Sequence, residues 1–161
     1  MTALWQQHTA TTGQTFAAEI FPELWQDTRG QPWLVNALAD TLTSDIPHLS
    51  DPNSPITRED YRTAREMLIQ SRATHLDQLI DKLKEPRVHR VISAILSSAD
   101  DDADIPPDDL QYVTDLGLIT LRPTTQMANR IYQETVPREF DVKRRLRYHQ
   151  SRHLSHLKII R

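Results

Sequence analysis

The amino-acid pattern points to a mainly α protein: a small helical bundle, then a second helical unit carrying a short β-hairpin. Three observations support this. Apolar residues recur at helical spacing through most of the 161 residues. Pro and Thr stand repeatedly where helices start. One β-compatible run, "LITLR", is followed directly by a turn-forming segment, Pro123 to Gln126.

The elements follow in order. Pro22 interrupts the segment from Phe16 to Thr28, and a proline inside a helix costs on the order of 3 kcal/mol, so a break or restart is expected near Phe21. Pro32 suits a first helical turn, after which Leu34, Leu38 and Leu42 share one face with Val35 beside them. Thr57 with Asp60 approximates a capping box and opens a helix containing Tyr61, Ala64 and Leu68. A second such start, Thr74 with Asp77, leads into Leu76, Leu79, Ile80 and Leu83. Pro86 opens a helix with Val88, Val91, Ile92, Ile95 and Leu96 on one stripe. Pro107 opens a shorter one through Leu110, Val113 and Leu116, which Gly117 closes in the left-handed conformation. After the turn at Pro123, the last element reads equally as a strand or as a helix capped by Asn129 and containing Ile131, Tyr132 and Val136.

Two proline-rich segments, "SDIPHLSDPNSP" and "SSADDDADIPP", are expected as exposed loops, the first, at residues 44–56, poor in core residues. The expected organisation is a helical bundle over residues 1–72, a second unit over 73–140 and a basic tail over 141–161. Three short helices, a hairpin and a final element make the second unit a winged-helix arrangement.

Composition narrows the function classes. The chain has no cysteine, which excludes disulfides, thiolate metal sites and cysteine nucleophiles. No run approaches the roughly 20 apolar residues of a membrane span, and the N-terminus lacks a basic region followed by an apolar segment, so a soluble, cytoplasmic protein is expected. Charge is unevenly spread: seven Lys/Arg and no Asp/Glu lie between Lys143 and Arg161, leaving 12 basic against 22 acidic side chains elsewhere. His149, His153 and His156 would share one face of a helical tail, but no three-ligand metal geometry follows from that spacing. The run Asp100 to Asp104 lacks the glycine and terminal glutamate of a calcium loop. No catalytic residue set and no metal site is expected.

The stretches "TRGQPWLVNALAD", "ATHLDQLIDKLKEPRVHRVI", "DDLQYVTDLGLI" and "ANRIYQETVPRE" resemble a family of prokaryotic AAA-like P-loop ATPases related to the STAND class. The resemblance is collinear over most of residues 8–139 and covers only that family's lid and the winged helix behind it. It implies a bacterial protein in which Gly30, Gln31, Pro32 and Trp33 form the nucleotide-facing start of a lid helix. A proline-fixed helix N-terminus with a glycine beside it offers free N–H groups and close backbone approach. The same residues also fit a helix cap over a buried tryptophan. Departures are plain: no G-x-x-x-x-G-K-[ST] loop occurs, no Walker B carboxylate can be placed, and Arg130 stands where the family often has proline. The chain is therefore expected to be a non-enzymatic, truncated or split member that takes ATP or ADP with magnesium only beside a separate P-loop partner.

The alternative is a small DNA-associated winged-helix protein. Its would-be recognition helix carries Asp108, Asp109 and Asp115 with no Lys or Arg, so it would repel phosphates. Nucleic acid would instead fall to the tail, through Lys143, Arg144, Arg145, Arg147 and Arg152, weakly and without sequence preference.

Overall fold

The computed structural model describes residues 2–71, 78, 79, 81–97, 105–138 and 140. The helix start at Thr74 and Asp77, the aspartate run and the basic tail with its arginines and histidines lie outside the described residues.

The protein is mainly helical. Helix α1 spans Thr2–Thr12, α2 Ile20–Thr28 and α3 Pro32–Asp40. A π-turn, Thr41–Asp45, continues α3, and a 3-10 turn, Pro47–Ser50, leads to α4, Arg58–Gln70. Residues 78, 79, 81 and 82 are helical, followed by α5 at Pro86–Ser97 and α6 at Pro107–Asp115. Strands β1, Ile119–Thr120, and β2, Gln126–Met127, form an antiparallel hairpin, and residues 130–138 form the helix α7.

Local chemistry accounts for these boundaries. Starting α2 at Ile20 puts Pro22 in the first turn, where a missing N–H forfeits no helical bond. Pro32 occupies the first position of α3, and Leu34, Val35, Leu38 and Leu42 all turn inward. Thr57 and Asp60 complete a reciprocal capping box at α4. Both alternatives for the chain after Pro123 occur in succession: Gln126 and Met127 pair with β1, then Asn129 accepts from the Tyr132 N–H at 2.9 Å to cap α7. The expected strand over "LITLR" shrinks to Ile119 and Thr120, because Leu121 is exposed and Pro123 has no N–H to extend the ladder.

The proline-rich segment at residues 44–56 corrects the expectation of a loop poor in core residues. Pro47, Pro52 and Pro55 are exposed, but Ile46, Leu49 and Ile56 are buried. Two features draw them in. Phe16 and Ile56 form a parallel bridge, in which Ala17 N–H donates to Ile56 O at 2.9 Å and Ile56 N–H to Thr15 O at 2.8 Å. Gln14, 3% exposed, donates its Nε2 to the carbonyls of Leu49 and Ser54, each at 3.0 Å. One buried amide thus holds a loop some 40 residues away in sequence.

Buried side chains from every named helix and helical turn, together with Leu83 and the hairpin, form one hydrophobic cluster. Trp5 meets Phe16, Phe21 and Tyr61, and Val113, Ile119, Ile131 and Val136 belong to the same cluster. Among the described residues no helix is long and apolar enough to cross a membrane.

Replacing Gln14 by alanine strips one buried and one part-buried carbonyl of their donor and is expected to cost about 1 to 3 kcal/mol. Hydrogen exchange should show protection lost first between residues 49 and 56. Unchanged exchange there would mean that the bridge to Phe16 alone holds the loop.

Candidate functional site

The turn between α2 and α3 is built from residues 28 to 31. Thr28 Oγ1 donates to Leu24 O at 2.7 Å and accepts from Gly30 N–H at 3.1 Å. Arg29 takes the left-handed conformation, with φ 49°, and its N–H donates to Trp25 O at 2.8 Å. Gly30 follows at φ +77°, where a Cβ would stand 3.2 Å from the Trp25 ring. Gln31 O then accepts from Val35 N–H at 3.1 Å, so α3 begins at once. Two successive left-handed residues reverse the chain within this short connection, and only one of them is glycine.

The four residues expected at a nucleotide lid divide into two pairs. Pro32 is exposed and Gly30 half-buried at the surface. Gln31 and Trp33 turn toward the C-terminal segment. Gln31 Nε2 would lie 3.3 Å from a Cβ on Gly117, itself at φ +70°, so this glycine meets both a backbone and a space requirement. Trp33 Nε1 donates to the Tyr132 hydroxyl at 3.2 Å, joining α3 to α7. Burial pushes the Tyr132 hydroxyl above its ordinary pKa, against the opposing influence of Trp33, Asn129 and Gln31. It therefore stays neutral at physiological pH.

A second junction lies deeper. Tyr61 Oη donates to Asp27 Oδ2 at 2.8 Å, and Arg65 Nε reaches the same oxygen at 3.2 Å. Arg65 also pairs through Nη2 with Glu134 Oε2 at 2.6 Å and through Nη1 with Glu66 at 2.7 Å. Helices α2, α4 and α7 thus meet on one guanidinium. Burial, then the neighbouring Asp27 charge, raises the Tyr61 pKa far above its usual range, keeping it a donor. The hydrogen bond from Arg65 holds the Glu134 carboxyl below its ordinary value, with Arg65 and Arg138 charges adding to it.

Beside the turn lies a cleft of about 560 Å³ between α2, the hairpin and the start of α7. Gln26, Arg29, Arg122, Gln126, Asn129 and Arg130 supply polar groups to it, and no Asp or Glu lines it. Among the described residues no group of three or more His, Asp or Glu is placed to hold a metal ion.

Sequence reasoning missed Arg65, Asp27 and Glu134 as a unit, although one signal was present. Asp27 falls on the same face as Ile20, Leu24 and Thr28, and an acid in an apolar stripe requires a buried partner. Nothing in the spacing of residues 27, 65 and 134 identifies which partner. Comparison with known proteins adds no relative: no family model, curated protein or solved structure matches the chain.

Because Glu134 is held below 4.5, the ordinary value, its ionised form stabilises the fold above that pH, and the contribution is lost as pH falls through the folded-state pKa. Glu134→Gln should cost about 1 to 2 kcal/mol near neutral pH, since the pair is partly exposed. Its stability should then fall less steeply on acidification than that of the native chain. Denaturant titrations across the acid range check this, and parallel curves for the two proteins would remove Glu134 from the pH dependence.

Proposed function

We propose that the chain is a non-catalytic lid and interaction module of an AAA-like ATP-binding assembly, with a winged helix as its C-terminal unit. On this reading Gly30 and Pro32 form one wall of an adenine-nucleotide site whose phosphate cradle and magnesium ligands come from a separate P-loop partner. The observation that carries the proposal is the division of the "GQPW" turn into an outward pair, Gly30 and Pro32, and an inward pair, Gln31 and Trp33.

The physical consequence is a relay. A nucleotide base packed on Gly30 and Pro32 bears on the N-terminus of α3. That end is bonded to Tyr132 through Trp33 and pressed onto Gly117 through Gln31. Displacement of the turn is therefore opposed unless α7 and the end of α6 move with it, since close-packed contacts transmit strain. Catalysis is left to the partner: the sequence supplies no lysine-bearing phosphate loop, and one wall alone lacks the groups that dominate nucleotide affinity.

The test supplies an AAA-like P-loop domain in trans and titrates a fluorescent adenine nucleotide with magnesium. The mixture should bind more tightly than either piece. Pro32→Asp suits the test because Pro32 is exposed and a first helical turn accepts an acidic residue. That change should leave the fold intact and reduce the gain about tenfold by setting a carboxylate against the anionic ligand. Equal binding by the isolated chain, or an undiminished gain with Pro32→Asp, would reduce the turn to a cap over the core.

A further inference from the structure

We infer that the cleft between α2, the β-hairpin and α7 binds a small phosphate-bearing ligand. Its cationic groups come from three separate places in the sequence. Arg29 is the left-handed residue closing α2, Arg122 precedes the hairpin turn, and Arg130 is the first residue of α7. Among the described residues none of the three is in a salt bridge. Arg29 lies over the exposed Trp25 ring, 5.9 Å from its centre, and Arg130 is near enough to Glu134 to favour its ionised form. Positive groups gathered around a concave surface without a carboxylate repel one another, and an anion relieves that repulsion.

An independent observation points the same way. Asn129 lines the cleft and is 2% exposed. Its Oδ1 is used on the Tyr132 N–H, while its Nδ2 has no acceptor. Nδ2 faces the Tyr132 hydroxyl closely enough to favour its ionised form, but no acceptor stands in good hydrogen-bond geometry to it. A buried donor left without a partner at the edge of a cationic cleft is one that a ligand oxygen can satisfy. The first turn of α7 adds backbone N–H groups of residues 130 and 131, which have no acceptor within the helix, and the positive end of the helix dipole.

These features select the ligand class. Arginines, an amide donor and a helix N-terminus are all donors, so the ligand must present several acceptor oxygens and negative charge, the chemistry of phosphate. A volume of about 560 Å³ exceeds what one phosphate needs and falls among small-molecule sites. A nucleic-acid duplex is disfavoured by Asp108 and Asp115, both exposed on α6, the helix leading into the hairpin. The inference does not rest on the lid reading, because it uses neither Gly30 nor Pro32.

Calorimetric titration of the full chain at low salt tests it, using inorganic pyrophosphate, ADP, adenosine and a short DNA duplex. Pyrophosphate should bind and adenosine should not; ADP binding would identify a nucleotide as the phosphate source, and its absence an inorganic one. Arg122→Gln and Arg130→Gln, both at exposed positions, should each weaken pyrophosphate about tenfold while leaving the melting temperature of the free protein unchanged. Pyrophosphate binding that survives both substitutions would move the site elsewhere, including to the basic residues after Val142. No pyrophosphate binding, or binding of the duplex alone, would overturn the inference.

Discussion

The Arg65 guanidinium, with only 11% of its side chain exposed, is the constraint on which the arrangement depends. A cation so deeply placed requires anionic partners, and besides the adjacent Glu66 they come from α2 and α7, 38 residues before it and 69 after. Removing one partner of a fully buried pair typically costs about 3 to 5 kcal/mol, because the remaining charge is stranded, whereas the partly exposed Glu134 contributes less. Asp27 is the most exposed to that consequence, with only 3% of its side chain accessible and Oδ1 already lacking a partner. The hydrophobic cluster supplies attraction in every direction; the charged set specifies which helices meet and in what register.

The turn from α2 to α3 depends on the same scaffold. Asp27 precedes it by one residue, so the anchoring of α2 through Asp27 also fixes where Thr28, Arg29 and Gly30 emerge. From there Trp33 reaches Tyr132 and Gln31 meets Gly117. Arg29 and Arg130 consequently face one cleft, although they are far apart in sequence. The proposed lid surface and the inferred phosphate cleft are thus adjacent products of one junction. They lie on opposite uses of it: Gly30 and Pro32 face outward, and Arg29 turns toward the hairpin.

Helix positions were legible where a local rule operates. Pro32, Pro86 and Pro107 start helices, Thr57 with Asp60 caps α4, and Asn129 caps α7 because its side chain replaces a missing backbone acceptor. Tertiary polar contacts were not legible. Gln14 binds carbonyls at residues 49 and 54, and neither partner has a side-chain signature that a sequence pattern can register. Ile46, Leu49 and Ile56 were hidden for a related reason: separated by prolines and polar residues, they have no common period, and their burial arises from the fold of the loop. The turn ahead of α3 was legible at Gly30 to Trp33, but the inward direction of Gln31 and Trp33 follows only once α7 is placed beside them.

The account requires that α3 and α7 behave as one mechanical unit. Native-state hydrogen exchange measures this directly, because segments that open together share one opening free energy and one denaturant dependence. Amides in the last turn of α3, around Leu38, and in the middle of α7, around Glu134, are expected to exchange through a single opening, and Tyr132→Phe should lower protection in both helices. Protection in α3 that persists while α7 opens separately at much lower free energy would contradict the account.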